Sequence, residues 1–258
     1  MSESNSRYDI PNLRKACEVI REIAASEHGL SFKELQSRSG IPRTTLLRIL
    51  ETLSHQEFVR QRANRSFLLG NELLRIGLQF SDRLDLRERA APILHRLAQS
   101  TRSTSHLAVL SGEKSLIVAV QESPERIQAA SKPGFLAELH CSSTGKCFLA
   151  FVWKDPVAWF RERSPDAPTE NSIRDPERFE SELQQIRKSG YAVDDEEYSL
   201  GIRCCAAPVR NAAGNVIAAI GITAPGTLFP RSRDAAVAAT VVQAAVELSQ
   251  SLGYDPHA

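Results

Sequence analysis

Residues 30–70 read LSFKELQSRSGIPRTTLLRILETLSHQEFVRQRANRSFLLG. Ser31 stands three residues before Glu34 and beside apolar Phe32, the spacing at which a hydroxyl takes an orphan backbone N–H and the carboxylate reaches back. A helix is therefore predicted from Ser31, with Leu35 facing inward and Gly40 allowing a tight turn out of it. Pro42 opens a second helix, where its missing N–H costs nothing. Leu46, Ile49, Leu50 and Leu53 then recur at helical spacing to about His55 and give one buried stripe. Phe58–Arg62 and Ser66–Leu69 read as two strands joined around Ala63-Asn64-Arg65. Helix, turn, helix and hairpin in that order predict a winged helix-turn-helix.

The chemistry of this stretch is cationic. Between Ser31 and Leu69 seven basic residues face three acidic ones, a local charge of about +4 in a chain whose total is +1. The second helix leaves Arg43, Thr44, Leu47, Arg48 and Glu51 on its open face. Its Arg-Thr-Thr tip, ending at Thr45, offers a guanidinium, hydroxyls and backbone N–H groups to a phosphate strand and to base edges in a major groove. The hairpin adds Arg60, Arg62 and Arg65. The candidate contacts to double-stranded DNA are Ser31, Lys33, Arg43, Thr44, Thr45, Leu47, Arg48, Arg60, Arg62 and Arg65.

Upstream, residues 1–8 read as a polar tail and Pro11 as the start of a helix. Its apolar stripe of Leu13, Ala16, Cys17, Ile20, Ile23 and Ala24 should pack across the recognition pair. Downstream, Asn71 can cap a helix through Phe80, with more apolar surface than a tether requires and thus suited to self-pairing. Asp85 can cap another. Interruption of the apolar rhythm at Ser81-Asp82-Arg83 sets the expected boundary, with a DNA-binding domain and linker helix over 8–80 and a second domain over 84–254.

From Thr104 the period becomes extended. Thr104–Leu110 and Ser115–Gln121 form a predicted hairpin, and Arg126–Ser131 a further strand. Ser142-Ser143-Thr144-Gly145-Lys146 reads as a loop opening a buried helix at Cys147–Val152, and Trp153–Arg174 as a short helix plus loop. Pro176 begins another helix, stopped at Gly190. Tyr191–Asp194, Arg203–Arg210 and Val216–Thr223 are predicted strands, and Arg231–Leu252 a final helix. The second domain is thus α+β, with a largely antiparallel sheet.

No apolar run approaches the roughly 20 residues that span a bilayer, and the first residues lack a signal-peptide pattern. Five cysteines without a C-x-x-C pair suit a reducing cytoplasm and argue against a disulfide framework or zinc module. Gly145-Lys146 lacks the first glycine of a P-loop. His106, His140 and Cys141 lack paired metal-ligand spacing, and His140 more readily bonds backbone. No metal or cofactor is expected. The run Asp194-Asp195-Glu196-Glu197 reads as a solvated edge. With Cys204 it supplies the one competing reading, a thiol- or carboxylate-based enzyme acting on small acids, although neither Cys204 nor Cys205 has an evident activating base. Strand alternation lets only one of those two line a given pocket.

The chain resembles the IclR type of bacterial transcription regulator from about Asn12 to the final helix. The matching signatures are Leu13-Arg-Lys-Ala, Gly40-Ile-Pro-Arg-Thr-Thr with Arg48 and Leu50, Leu69-Gly70, Leu139-His140 before Gly145-Lys146, Gly190-Tyr191, Glu197 four before Gly201, and Ala206-Ala-Pro208-Val. Their order and spacing carry the resemblance. It implies a winged helix-turn-helix joined by a linker helix to a GAF-like α+β effector-binding domain, acting as a homodimer or dimer of dimers on palindromic operators. It also implies an effector site, with Ser143 and Thr144 contributing backbone groups beside Gly145, and with Asp194, Ile202, Cys204, Gly221 and Thr223 around a small organic acid. Gly221 stands where the resemblance implies serine, which removes a donor and leaves room. Independently, the open N-terminal turn of the helix after Ser142 suits a carboxylate.

Overall fold

The computed structural model describes residues 9–82, 85–127, 129 and 131–255. The predicted tail at 1–8 and the boundary residues 83 and 84 lie outside them. Two compact units emerge, Met1–Leu84 and Asp85–Ala258.

In the first unit, α1 (Pro11–Ala24), α2 (Phe32–Ser39) and α3 (Arg43–His55) pack on a three-stranded sheet of β1 (Leu30–Ser31), β3 (Ser66–Leu69) and β2 (Val59–Gln61), in that order. The capping box forms as its spacing requires: Glu34 accepts the Ser31 N–H at 2.7 Å and Ser31 Oγ accepts the Glu34 N–H at 3.3 Å. Gly40 ends α2 in the left-handed region at φ 64°. Pro42 is the cap of α3 rather than its first residue, with ψ 139°, and its carbonyl accepts the Leu46 N–H.

The buried stripe of α1 is centred on Val19 and Ile23, backed by Ala16 and Ile20. Leu13, Cys17 and Ala24, expected in that stripe, are exposed. Positions 16, 19, 20 and 23 share one helix face, and 13 and 17 lie to its side. The helix α4 (Asn71–Asp82) closes this unit.

The second unit is built on a six-stranded sheet in the order β6-β5-β4-β9-β8-β7, every pairing antiparallel. The strands are β4 (Thr104–Ser111), β5 (Lys114–Gln121), β6 (Leu136–Glu138), β7 (Ala192–Asp195), β8 (Ile202–Arg210) and β9 (Val216–Pro225). Among the described residues of the span 126–131, where a strand is predicted, none is in a strand, and β6 supplies the edge instead, pairing Leu116 with Leu136. Two prolines and a glycine between 124 and 134 disfavour an earlier ladder.

Helices α5 (Asp85–Thr101) and α9 (Asp234–Ser251) pack together on the sheet, and α6 (Ser143–Phe151) and α8 (Pro176–Ser189) form a second packed pair. The short α7 (Pro156–Arg163) lies against α8. Phe148, Leu149, Phe160, Phe179, Leu183 and Ile186 join Ala108, Ala206 and Ala219 in one core, the alanines letting α6 sit close to the strands.

Candidate functional site

In the first unit α3 buries Leu46, Ile49, Leu50 and Leu53 and leaves Arg43, Thr44, Leu47 and Arg48 exposed. Thr45 is half-buried. Leu47 is 58% exposed, a large apolar side chain placed where the stripe pattern requires a solvent-facing residue. Ser31, Lys33, Arg43, Leu47 and Arg65 line one groove, walled by α3 and by the β2–β3 hairpin. The Arg43 guanidinium lies 5.6 Å from the centre of the Phe32 ring, which orients it.

At the hairpin tip Asn64 Oδ1 accepts the Ser66 N–H, and Arg65 adopts φ 64°, an unusual conformation for a side-chain-bearing residue. Arg60 and Arg62 are exposed beside it. The arrangement presents hydroxyls and guanidinium groups from a helix tip and a ribbon, the geometry that engages a groove and its flanking phosphates. Ser31 contributes chiefly as a cap, since its N–H and hydroxyl are both committed to Glu34.

In the second unit a cavity of about 260 Å³ opens between the sheet and the start of α6. Six sequence-predicted residues meet there: Ser143, Thr144, Asp194, Ile202, Cys204 and Thr223. Ser142 caps α6 by accepting the Gly145 N–H at 3.1 Å, and its carbonyl accepts the Lys146 N–H. The N–H groups of Ser143 and Thr144 thus have no helical partner and sit at the positive end of the helix dipole. The Thr144 hydroxyl accepts from Ser115 Oγ at 2.8 Å.

Gly145 and Gly221 do not line this cavity. A Cβ on Gly145 would come within 2.4 Å of the Leu139 backbone, so this glycine exists for close packing of α6. A Cβ on Gly221 would meet the Cys205 carbonyl oxygen at 2.5 Å, so the missing side chain leaves no room, contrary to the sequence reading.

The acidic run is not a solvated edge. Asp194 is 1% exposed and Glu197 5%. Asp194 Oδ1 accepts the backbone N–H groups of Glu197 and Tyr198, while burial pushes its carboxyl up to about 6 against the pull of those bonds and of Lys146. Lys146, fully buried in α6, places Nζ 2.8 Å from Glu182 and 2.5 Å from Glu197. Burial alone would favour its neutral amine; the two carboxylates outweigh this and hold it charged. Period-2 and period-3.6 patterns cannot reveal such a charge cluster, because its three members lie far apart in sequence.

Cys204 faces the cavity, its Sγ 3.3 Å from the Thr223 hydroxyl, whereas Cys205 is buried. Burial, and then the nearby Asp194, push the Cys204 thiol well above its usual range. It is a protonated wall atom, unsuited to nucleophilic attack. His140 Nε2 bonds the Asp166 carbonyl at 2.8 Å. Among the described residues no group of three histidine, cysteine or acidic side chains could hold a metal ion.

The sequence reading missed His106, Ile117, Ala137, Phe135 and Tyr198, all of which line the cavity. Alternation along β4 and β9 was a usable signal for one: His106 pairs with Gly221, and so shares a sheet face with Thr223. Phe135 and Tyr198 come from loops and meet edge to face with ring centres 6.0 Å apart.

A family model for the IclR helix-turn-helix domain matches residues 12–63, and one for the C-terminal domain of the bacterial transcriptional regulator IclR matches residues 78–250. The chain belongs to the IclR family of transcriptional regulators. This IclR-family chain is 34% identical over 239 residues to the HTH-type transcriptional regulator BhcR of Paracoccus denitrificans, covering 92% of the chain and 85% of that protein. The crystal structure of the Thermotoga maritima IclR matches with a TM-score of 0.73 at 26% identity, covering 95% of this chain and 100% of that one. An IclR homolog from Microbacterium hydrocarbonoxydans, crystallised with 4-hydroxybenzoate, shares the fold with a TM-score of 0.82 at 21% identity, over 93% and 98% of the two chains. The two units are accordingly a helix-turn-helix DNA-binding domain and an α+β effector-binding domain of a regulator, and the family is not one of enzymes.

Proposed function

We propose that this regulator binds palindromic operator DNA through the α3 tip and the β2–β3 wing, and senses a small carboxylic acid in the cavity of its second domain. The reading is carried by the pair of unpartnered N–H groups at Ser143 and Thr144. They open into a cavity below the roughly 300–1,000 Å³ of drug-sized sites, walled by Ile117, Phe135, Ala137 and Ile202 and lined, among the described residues, by no lysine or arginine. A carboxylate suits the helix end, and a short aliphatic or single-ring body suits the walls. The Microbacterium neighbour, which holds 4-hydroxybenzoate, is in keeping with an aromatic acid.

The acting species is a homodimer or dimer of dimers, in the cytoplasm. Homo-oligomerisation follows from the family resemblance; on α4 Leu74 and Ile76 are 63% and 42% exposed, on opposite sides of the helix, and each adds a separate apolar contact point. Among the described residues no helix is long and apolar enough to cross a membrane. Effector binding shifts the balance between arrangements of the paired winged domains.

A thermal-shift screen of small aliphatic and aromatic acids on the full chain tests the sensing half, since a ligand of the folded state raises the midpoint by mass action. The expected hit loses its effect on Thr144→Phe, and a hit that acts equally on that variant would displace the site. A gel shift with the DNA upstream of the chain's own gene tests the other half. Salt-sensitive binding is expected, weakened when Arg43 and Arg48 become alanine.

A further inference from the structure

Of the described side chains that line the cavity, His106 is the one with a polar atom that is both buried and without a hydrogen-bond partner. His106 lies in the middle of β4, between β5 and β9, and is 4% exposed. It lines the cavity, yet neither ring nitrogen has a hydrogen-bond partner among the described residues, and Nδ1 is sealed from solvent. A histidine kept only for packing normally finds a carbonyl or hydroxyl, as His140 does with Asp166. The cross-strand neighbour that could have supplied a hydroxyl is Gly221.

We propose that His106 is a specificity-determining residue that hydrogen-bonds an uncharged hydroxyl on the effector, so that the effector class is a hydroxy-substituted small acid rather than a plain one. This rests on the reading of the cavity as a carboxylic-acid site. The acid group belongs at Ser143 and Thr144, on the α6 side, while His106 projects from the sheet, so the two recognition points lie on different walls. Burial keeps the imidazole neutral, pushing it down to about 4. A neutral imidazole offers one donor and one acceptor, and a hydroxyl, being both, matches either tautomer. An apolar substituent at that point would leave the imidazole unpaired, and discrimination arises from that mismatch.

The test uses the full chain and calorimetric titration at pH 7.5 with matched acids: benzoate against 3- and 4-hydroxybenzoate, and propionate against lactate and 3-hydroxypropionate. At least one hydroxy acid should bind tighter than its parent by about tenfold or more. His106→Leu should bring that acid to the parent's affinity while leaving the parent's own affinity within about threefold, and His106→Asn, which keeps a donor and an acceptor, should retain part of the preference.

An unchanged preference in His106→Leu, or parent acids binding as well as their hydroxy forms, would overturn the assignment while leaving the carboxylic-acid reading in place. Failure of every acid to bind would overturn both. Should His106→Leu not fold, ring ¹⁵N shifts of the wild-type imidazole decide: the hydroxy acid should move a His106 nitrogen and the parent should not, and equal or absent movement refutes the proposal.

Discussion

Asp194 accepts the backbone N–H of Glu197 at 2.8 Å, which ties the carboxylate facing the cavity to the carboxylate that neutralises Lys146. The loop leaving β7 is further pinned where the Thr169 and Ser172 hydroxyls donate to the Glu197 carbonyl. An effector that touched Asp194 or Tyr198 would therefore act on a segment braced from behind by a buried charge cluster joining α6 and α8.

Removal of that brace should be costly. Lys146→Met leaves Glu197 in a nearly closed site with no counter-charge, and breaking a buried pair in this way typically costs about 3–5 kcal/mol. Denaturant unfolding should show a midpoint lowered accordingly, with Glu197→Gln less affected because Glu182 still pairs Lys146. A Lys146→Met midpoint within about 0.5 kcal/mol of wild type would mean that the cluster is hydrated and contributes little.

The Asp194 carboxyl gives a pH dependence of defined sign. Its proton is held up to about 6 in the folded chain against 3.8 ordinarily. The folded state thus binds that proton more tightly than the unfolded state, and the contribution to stability is present below about pH 4 and is lost as pH rises to about 6. Melting midpoints of wild type minus Asp194→Asn should fall across that window. A carboxylic effector bound beside Asp194 should likewise weaken above about pH 6, by up to about tenfold per unit, and Asp194→Asn should flatten the slope. A slope identical in the two proteins would place the effector's acid group away from Asp194.

For the winged domain, each arginine that meets a phosphate should lower the dependence of binding on salt. Arg60→Ala and Arg65→Ala are expected to weaken operator affinity and each to reduce the slope of log K against log salt by about 1. Arg65 adds a separate effect, because its φ of 64° is costly for any residue with a Cβ. Arg65→Gly should match or exceed wild-type stability by about 1 kcal/mol while still losing DNA affinity. Retained affinity in Arg65→Gly would show that the strained tip shapes the turn and touches no phosphate.

Local signals explain what could be read beforehand. The Ser31–Glu34 box, Gly40, and the Leu46-Ile49-Leu50-Leu53 stripe are short-range features, and each appears where the spacing puts it. Cys17 was misplaced because a stripe of small and large residues leaves the face centre ambiguous by one position, and Val19 resolves it. The cavity was legible only where a strand or helix start announced it. Phe135 and Tyr198 arrive on irregular loops, and the pairing of Lys146 with Glu182 and Glu197 depends on tertiary placement that no period encodes.

Gly221 is where the sequence and the three-dimensional arrangement part most clearly, and it supplies a decisive substitution. As an open position, Gly221→Ser would restore a hydroxyl beside Thr223 and tighten the hold on a hydroxy acid. The backbone denies this: the new Cβ would stand 2.5 Å from the Cys205 carbonyl oxygen and 2.9 Å from the Ala206 Cβ, neither of which is the free end of a side chain. To admit it, β8 and β9 must separate locally across the Cys205–Ile222 and Ala206–Gly221 pairs. The expected outcome is a loss of about 1–3 kcal/mol in denaturant unfolding, as for other overpacked cores, with no gain in affinity for any acid that binds the wild type. A Gly221→Ser protein as stable as wild type and tighter for a hydroxy acid would show instead that the strands yield there, and that the serine position is available to the effector after all.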